Sequence, residues 1–156
     1  MSEDLSFRLS NSLSELGIEG TVENLEPLTG GASKEIWKFN LVNSDVSSKM
    51  IFRRGSATES SLAIQTADEA KIQEEVRKEG GPVPEIVLVS NSDNGLGDSY
   101  VMKFIEGETI ARKILRDERY KPALPILARQ CGEAIAKIHN TPLVNLQFLP
   151  KKSPLQ

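Results

Sequence analysis

Four groups of residues in this sequence have types and spacings suited to chemistry. The first is Leu28-Thr29-Gly30-Gly31-Ala32-Ser33, a run of small residues between two strand-like stretches. Small side chains let backbone N–H groups approach phosphate oxygens closely, and Ser33 adds a hydroxyl donor. A plain hairpin turn needs the same composition. The second is Arg53, at the end of Ile51-Phe52-Arg53-Arg54. It is either a cation able to reach the α- and β-phosphates of a nucleotide under the glycine turn, or a strand-end arginine facing water. The third is Glu69 on the helical stretch that follows, where a carboxylate can pair with a strand cation and hold it against phosphates. Glu74, Glu75 and Glu79 lie on the same stretch, so simple solvation is the competing reading. The fourth is Met102-Lys103-Phe104-Ile105-Glu106-Gly107-Glu108-Thr109, where a strand runs out into helical sequence. The free backbone groups of such a hinge can bind a purine edge; the bland reading is an ordinary crossover.

The elements that must position these residues follow from periodicity. Leu5, Leu9, Leu13 and Leu16 fall at helical spacing, and Gly17 stops that helix. A strand is expected over Thr21–Leu28. Trp37, Phe39 and Leu41 alternate with Lys38 and Asn40, the period-2 signature of a strand with one buried face. Asn43–Ser48 reads as a turn, and Met50-Ile51-Phe52 as the returning strand. Ser56–Ser61 is a small, polar loop. Glu59 to Arg77 is rich in helix formers and ends at Gly80-Gly81-Pro82. Strands over Pro84–Val89 and Tyr100–Ile105 flank Asn91–Asp98, whose Asp93-Asn94-Gly95 and Gly97 carry turn chemistry. After Gly107, Leu124, Leu127, Ala128, Cys131, Ile135 and Ile138 form an apolar stripe on a helix from about Ala123 to His139. Asn140–Gln156 shows no terminating element. The order predicts an α+β fold: an antiparallel sheet of about five strands with one helix inserted.

Composition narrows the class. The 156 residues have a formal net charge of −3 and an aromatic content of 5%. Neither suits a nucleic-acid binder or an anionic-membrane binder, which need basic surfaces or stacking platforms. Cys131 is the only cysteine, which excludes an intrachain disulfide and points to a reducing compartment. The amino end, MSEDLSFRLSNSL, lacks the pattern of a secretory signal, and no apolar stretch approaches the roughly 20 residues of a membrane span. A cytoplasmic protein is expected.

Taken together and in this order, the four groups describe a kinase amino-terminal lobe. The sequence resembles the aminoglycoside phosphotransferase family, whose members share the protein-kinase-like fold, from about Leu25 to Pro142. Leu28–Ser33 is similar to the family's nucleotide-positioning loop, and Ile51-Phe52-Arg53-Arg54 to its leucine-arginine-arginine strand. Pro82-Val83-Pro84 is similar to its Pro-x-Pro, and Tyr100–Glu108 to its hinge. Ala134-Ile135-Ala136-Lys137-Ile138-His139 resembles its Leu-Ala-x-Leu-His helix end. The paired arginines are most similar to the branch found beside acyl-CoA dehydrogenases, which phosphorylates hydroxy acids or their thioesters. With the helix read from the leucine spacing, the expected division is an amino-terminal helix over residues 1–20 and a nucleotide-binding lobe over 21–106. Residues 107–156 would then be the hinge exit and the first helix of a carboxy-terminal lobe. The resemblance implies ATP as cofactor and transfer of its γ-phosphoryl group to a hydroxyl of a small molecule. Gly30, Gly31, Ala32 and Ser33 would cover the phosphates, Glu69 would partner Arg53, and backbone at Lys103 and Ile105 would receive the adenine. Arg53 stands where many relatives have lysine, exchanging a point charge for a fixed fork. The resemblance makes His139, the only histidine, a structural helix end.

The family's His-Gly-Asp-x-x-x-x-Asn loop and later metal-binding Asp do not occur in the sequence. The last acidic residue is Glu133, and magnesium needs carboxylate oxygens. The expectation is therefore a truncated enzyme, inactive by itself, in which magnesium enters only with a second lobe. The stripe on residues 123–139 would be left open to self-association. The alternatives are a non-catalytic nucleotide-binding or interaction module, and an α+β domain with no nucleotide site.

Overall fold

In the structure, a computed structural model, the leucines at intervals of four wind into α1 (Ser2–Glu15). It describes residues 2–28, 34–55, 64–90 and 94–149. Gly17, at φ 75°, turns the chain out of the helix. The Ile18 N–H then closes on Leu13 O at 3.0 Å and the Gly17 N–H on Ser14 O at 2.8 Å, a left-handed cap that favours glycine. Leu16, at helical spacing from the other leucines, lies past the last helical residue and is 56% exposed. The cap begins before its side chain can face inward.

Five strands form one antiparallel sheet: β1 (Thr21–Pro27), β2 (Lys34–Asn43), β3 (Val46–Gly55), β4 (Ile86–Ser90) and β5 (Ser99–Lys103). Their order is β1-β2-β3-β5-β4. The chain passes from β3 through α2 (Thr66–Lys78) to the edge strand β4 and returns to insert β5 between them. The fold is thus α+β with five antiparallel strands, as the alternation and turn residues predict. The bounds differ from expectation in physically simple ways. β3 is ten residues long, not the brief apolar Met50–Phe52, because the tight turn after Asn43 keeps its backbone in register with β2 from Asn43↔Val46 to Lys34↔Gly55. β4 starts at Ile86, past Pro84, which has no N–H for a ladder. β5 stops at Lys103: the Phe104 N–H still reaches Lys49 O at 3.1 Å, and then the chain leaves the sheet. β1 stops at Pro27, one residue short of the expected Leu28, after a bulge at Asn24, whose φ is 52°.

Parity divides the sheet into two faces. Trp37↔Phe52 and Phe39↔Met50 pair across β2 and β3, and Phe52↔Val101 across β3 and β5. These side chains, with Leu41, Val22 and Leu88, meet Leu5, Leu9 and Leu13 of α1 in the hydrophobic core. Phe39, Phe52, Leu9 and Leu13 are fully buried. The opposite parity places Ile51 and Arg53 of β3, and Tyr100 and Met102 of β5, on the second face, where α2 packs.

α2 starts later than the expected Glu59. Residues 59–63, like the small polar loop 56–61, lie outside the described residues; Ile64 and Gln65 precede the helix. Its first turn is capped from far along the chain. The Thr66 and Ala67 N–H groups donate to the Asp98 carboxylate at 2.6 and 2.8 Å, so a residue just before β5 sets where the helix begins.

Beyond the sheet come α3 (Ala111–Arg116), a 3-10 turn at Glu118–Tyr120, α4 (Leu124–His139) and a second 3-10 turn at Leu143–Leu146. The periodicity had predicted only α4, from about Ala123. Glu108 prepares α3 by accepting from the Thr109 and Ile110 N–H groups at 3.1 and 3.0 Å. The Ile110 N–H is the main reason its carboxyl sits below the ordinary value. No residue of α4 is buried, and Ile126, Leu127, Ile135 and Ile138 of the predicted helix are all exposed. Among the described residues no helix is long and apolar enough to cross a membrane.

Because Leu9 is enclosed and Leu16 is not, their truncations should separate cleanly. Leu9→Ala is expected to lower stability by about 2–5 kcal/mol and Leu16→Ala by less than about 0.5 kcal/mol. Urea unfolding curves measure both, and equal losses would contradict the packing described here.

Candidate functional site

On the second face, β3 presents Arg53 opposite Ile36 of β2 and Tyr100 of β5. One turn into α2, Glu69 leans back toward the sheet and its Oε2 accepts from Arg53 Nε at 3.0 Å. The two residues singled out in the sequence are therefore in contact. The guanidinium is engaged only at Nε: among the described residues no hydrogen bond uses its two terminal nitrogens. A fork with its prongs open is suited to a doubly accepting anion such as phosphate or carboxylate.

A third charge joins them that the sequence reading did not identify. Lys34 begins β2, and its side chain is only 5% exposed. Its ammonium lies 3.4 Å from Glu69 Oε1 and donates to Thr66 Oγ1 at 2.9 Å and Ile64 O at 3.1 Å. Burying an ammonium is costly unless it is paired and hydrogen-bonded, and here it is both. The only sequence signal was parity. Lys34 shares the face of Ile36, which registers with Arg53, but that register needs the strand pairing to be known.

Tyr100 and Gln73 complete the wall. Gln73, one turn after Glu69, donates through Nε2 to the Tyr100 hydroxyl at 2.8 Å. Arg53, Glu69, Gln73, Tyr100, Pro84 and Met102 line an open hollow of about 410 Å3. Burial pushes the Tyr100 phenol above its ordinary 10.0, while the Arg53 charge and the Gln73 hydrogen bond act the other way.

At the far end of β5 the chain leaves for the helical region. Glu85 fastens this exit: its backbone O accepts from the Lys103 N–H at 2.9 Å, and its Oε2 pairs with Lys103 Nζ at 3.0 Å and Arg77 at 3.1 Å. Lys49 pairs with Glu106 and lies 5.7 Å from the centre of the Phe104 ring. The Lys103 N–H is thus engaged within the protein. Ile105 is 60% exposed, and no hydrogen bond among the described residues uses its N–H or C=O. Lys103 follows Tyr100, the partner of Arg53, by three residues, which places the end of β5 roughly 10 Å along the strand from the Arg53 level.

Gly30, Gly31, Ala32 and Ser33 lie outside the described residues. Their flanks do not: the Leu28 N–H donates to Ile36 O at 2.8 Å, and Lys34 pairs with Gly55, so both lie at the Arg53 end of the sheet. His139 closes α4 and is exposed. Among the described residues no three histidine, cysteine or carboxylate side chains are gathered as a metal site requires.

A family model described as the phosphotransferase enzyme family (APH) matches residues 24–154. No curated protein matches the chain. The sheet and its crossing helix are consistent with the amino-terminal lobe of a kinase-like fold.

The raised Tyr100 phenol has a consequence for stability. The folded state holds this proton more tightly than the unfolded chain, so the contribution is intact below the ordinary value of 10.0 and is lost as pH rises through the higher folded value. Tyr100→Phe is expected to flatten the alkaline fall in stability, read from urea midpoints between about pH 9 and 11. An unchanged slope would place that titration on another group.

Proposed function

The chain belongs to the phosphotransferase enzyme family, and on that premise we propose that it binds ATP across the second face of its sheet, on behalf of γ-phosphoryl transfer to a hydroxyl of a small molecule. The observation that carries the proposal is the state of Arg53: tethered at Nε by Glu69, with both terminal nitrogens unbonded among the described residues. A cation held in this way donates to phosphate oxygens without first breaking a protein contact. Preorganisation of this kind is the main contribution a protein makes to phosphoryl transfer.

The remaining assignments follow the direction of the strand. Adenine lies at the exit from β5, where the Ile105 N–H and C=O are open to a purine edge and Lys103 offers only its carbonyl. The phosphates lie at the opposite end, where the described chain flanks Gly30, Gly31, Ala32 and Ser33; the backbone N–H groups of those residues and the Ser33 hydroxyl would contact them. Glu69 holds Arg53. The proposal assigns this chain the nucleotide side of the reaction. It assigns no catalytic base and no magnesium ligand. The family assignment does not select a branch, and the acyl-CoA-dehydrogenase-associated branch remains a proposal carried by Arg53-Arg54 alone.

Isothermal titration with ATP tests the reading. Arg53→Ala is expected to weaken ATP by about 10- to 100-fold, the equivalent of one or two charge-assisted hydrogen bonds. Arg53→Lys should recover part of the loss, because it restores the charge without the fork. Wild-type affinity in Arg53→Ala, or no ATP affinity in the wild-type chain, would overturn the proposal.

A further inference from the structure

The shared carboxylate of Glu69 raises a question of geometry. A carboxylate beside a guanidinium ordinarily closes a two-pronged pair, with both oxygens on two N–H groups of the fork. Here only Oε2 reaches Arg53, at Nε, and Oε1 is turned toward Lys34 at 3.4 Å. Lys34 is held where it must be to do this. It is buried, and it donates to Thr66 Oγ1 and Ile64 O at the start of α2. The start of α2 is itself held by Asp98, whose carboxylate accepts from the Thr66 and Ala67 N–H groups. The Asp98 backbone O accepts from the Gly55 N–H at 3.0 Å, two residues beyond Arg53.

We infer that Lys34 is a positioning residue for the phosphate cation. By occupying Oε1 of Glu69 it prevents the carboxylate from closing on both prongs of Arg53, and so keeps the terminal guanidinium N–H groups available to a phosphate. Lys34 does this from behind Glu69: among the described residues its ammonium meets oxygens of Ile64, Thr66 and Glu69. Removing the Lys34 charge frees Oε1, and Arg53, already bound to the other oxygen of the same carboxylate, carries unbonded donors. Glu69 then changes from a tether into a competitor for the phosphate.

The inference rests on the nucleotide reading above for its ligand, but its central claim concerns the unliganded protein and is measured there. Nitrogen-15 spectra of the Arg53 side chain report whether its terminal nitrogens are averaged by rotation or held in a two-pronged pair. Wild type should give one averaged terminal signal and Lys34→Met two separated ones; identical spectra overturn the inference. In titrations, Lys34→Met should weaken ATP by about tenfold and leave adenosine unchanged. Equal losses for both ligands, or no loss for ATP, overturn it. The double variant Lys34→Met with Glu69→Gln should bind ATP more tightly than Lys34→Met alone, because the competing carboxylate is gone. A further loss overturns the inference and makes Glu69 a tether in every context. Should Lys34→Met not fold, Lys34→Gln carries the same measurements, with a polar amide at the buried position but no charge for Glu69. Absence of ATP binding by the wild type would sink the functional reading and the phosphate role together, whereas the unliganded spectra still decide whether Lys34 holds Glu69 off the Arg53 fork.

Discussion

Everything on the second face depends on how the first turn of α2 is held. The side chains that the helix buries are small, Thr66, Ala67, Ala70 and Val76, so apolar area alone gives it little preference for one register over another. Directional contacts supply that preference. Asp98 satisfies two of the N–H groups that every helix leaves unpaired at its start. Lys34 and Arg53 take one oxygen each of Glu69, and Gln73 reaches Tyr100 a turn later. At the far end Arg77 meets Glu85, which also holds Lys103 at the exit from the sheet. The helix is thus fastened to the start of β2, to β3 and to β5, and connects the arginine end of the face to the hinge end.

The same strands build a different environment on their other side. Alternation sends Phe39, Met50, Phe52 and Val101 against the leucines of α1, where burial is dry and close-packed and tolerates little change in volume. One face provides cohesion and the other chemistry, and the pleat of each strand separates them residue by residue. Arg53 lies between Phe52 and Arg54 in sequence, yet its neighbours in space are Glu69 and Tyr100.

What could be read from the sequence was what is local. The alternation of Trp37, Phe39 and Leu41 marked β2, the fourfold leucine spacing marked α1, and Gly17 marked its end. The pairing of Arg53 with Glu69 was also legible, through the family resemblance. What escaped were contacts between residues about 30 positions apart: Lys34 with Thr66, and Asp98 with the start of α2. Neither leaves a periodic trace. Lys34 looks like any lysine near a turn, and Asp98 like any aspartate in a glycine-rich loop. The insertion of β5 between β3 and β4 was equally invisible, because five antiparallel strands with these turns are compatible with more than one order. Leu16 shows the converse failure, a residue in perfect period placed outside the helix by its cap.

The two-faced sheet also determines what an optical probe can see. Trp37 is the only tryptophan in the chain, and it packs at the margin of the α1 core, through the sheet from Arg53 and Glu69. Its emission will follow the loosening of α1 from the strands. A ligand on the opposite surface changes neither the packing nor the polarity around the indole directly, so this protein carries a built-in reporter of folding that is nearly blind to occupancy.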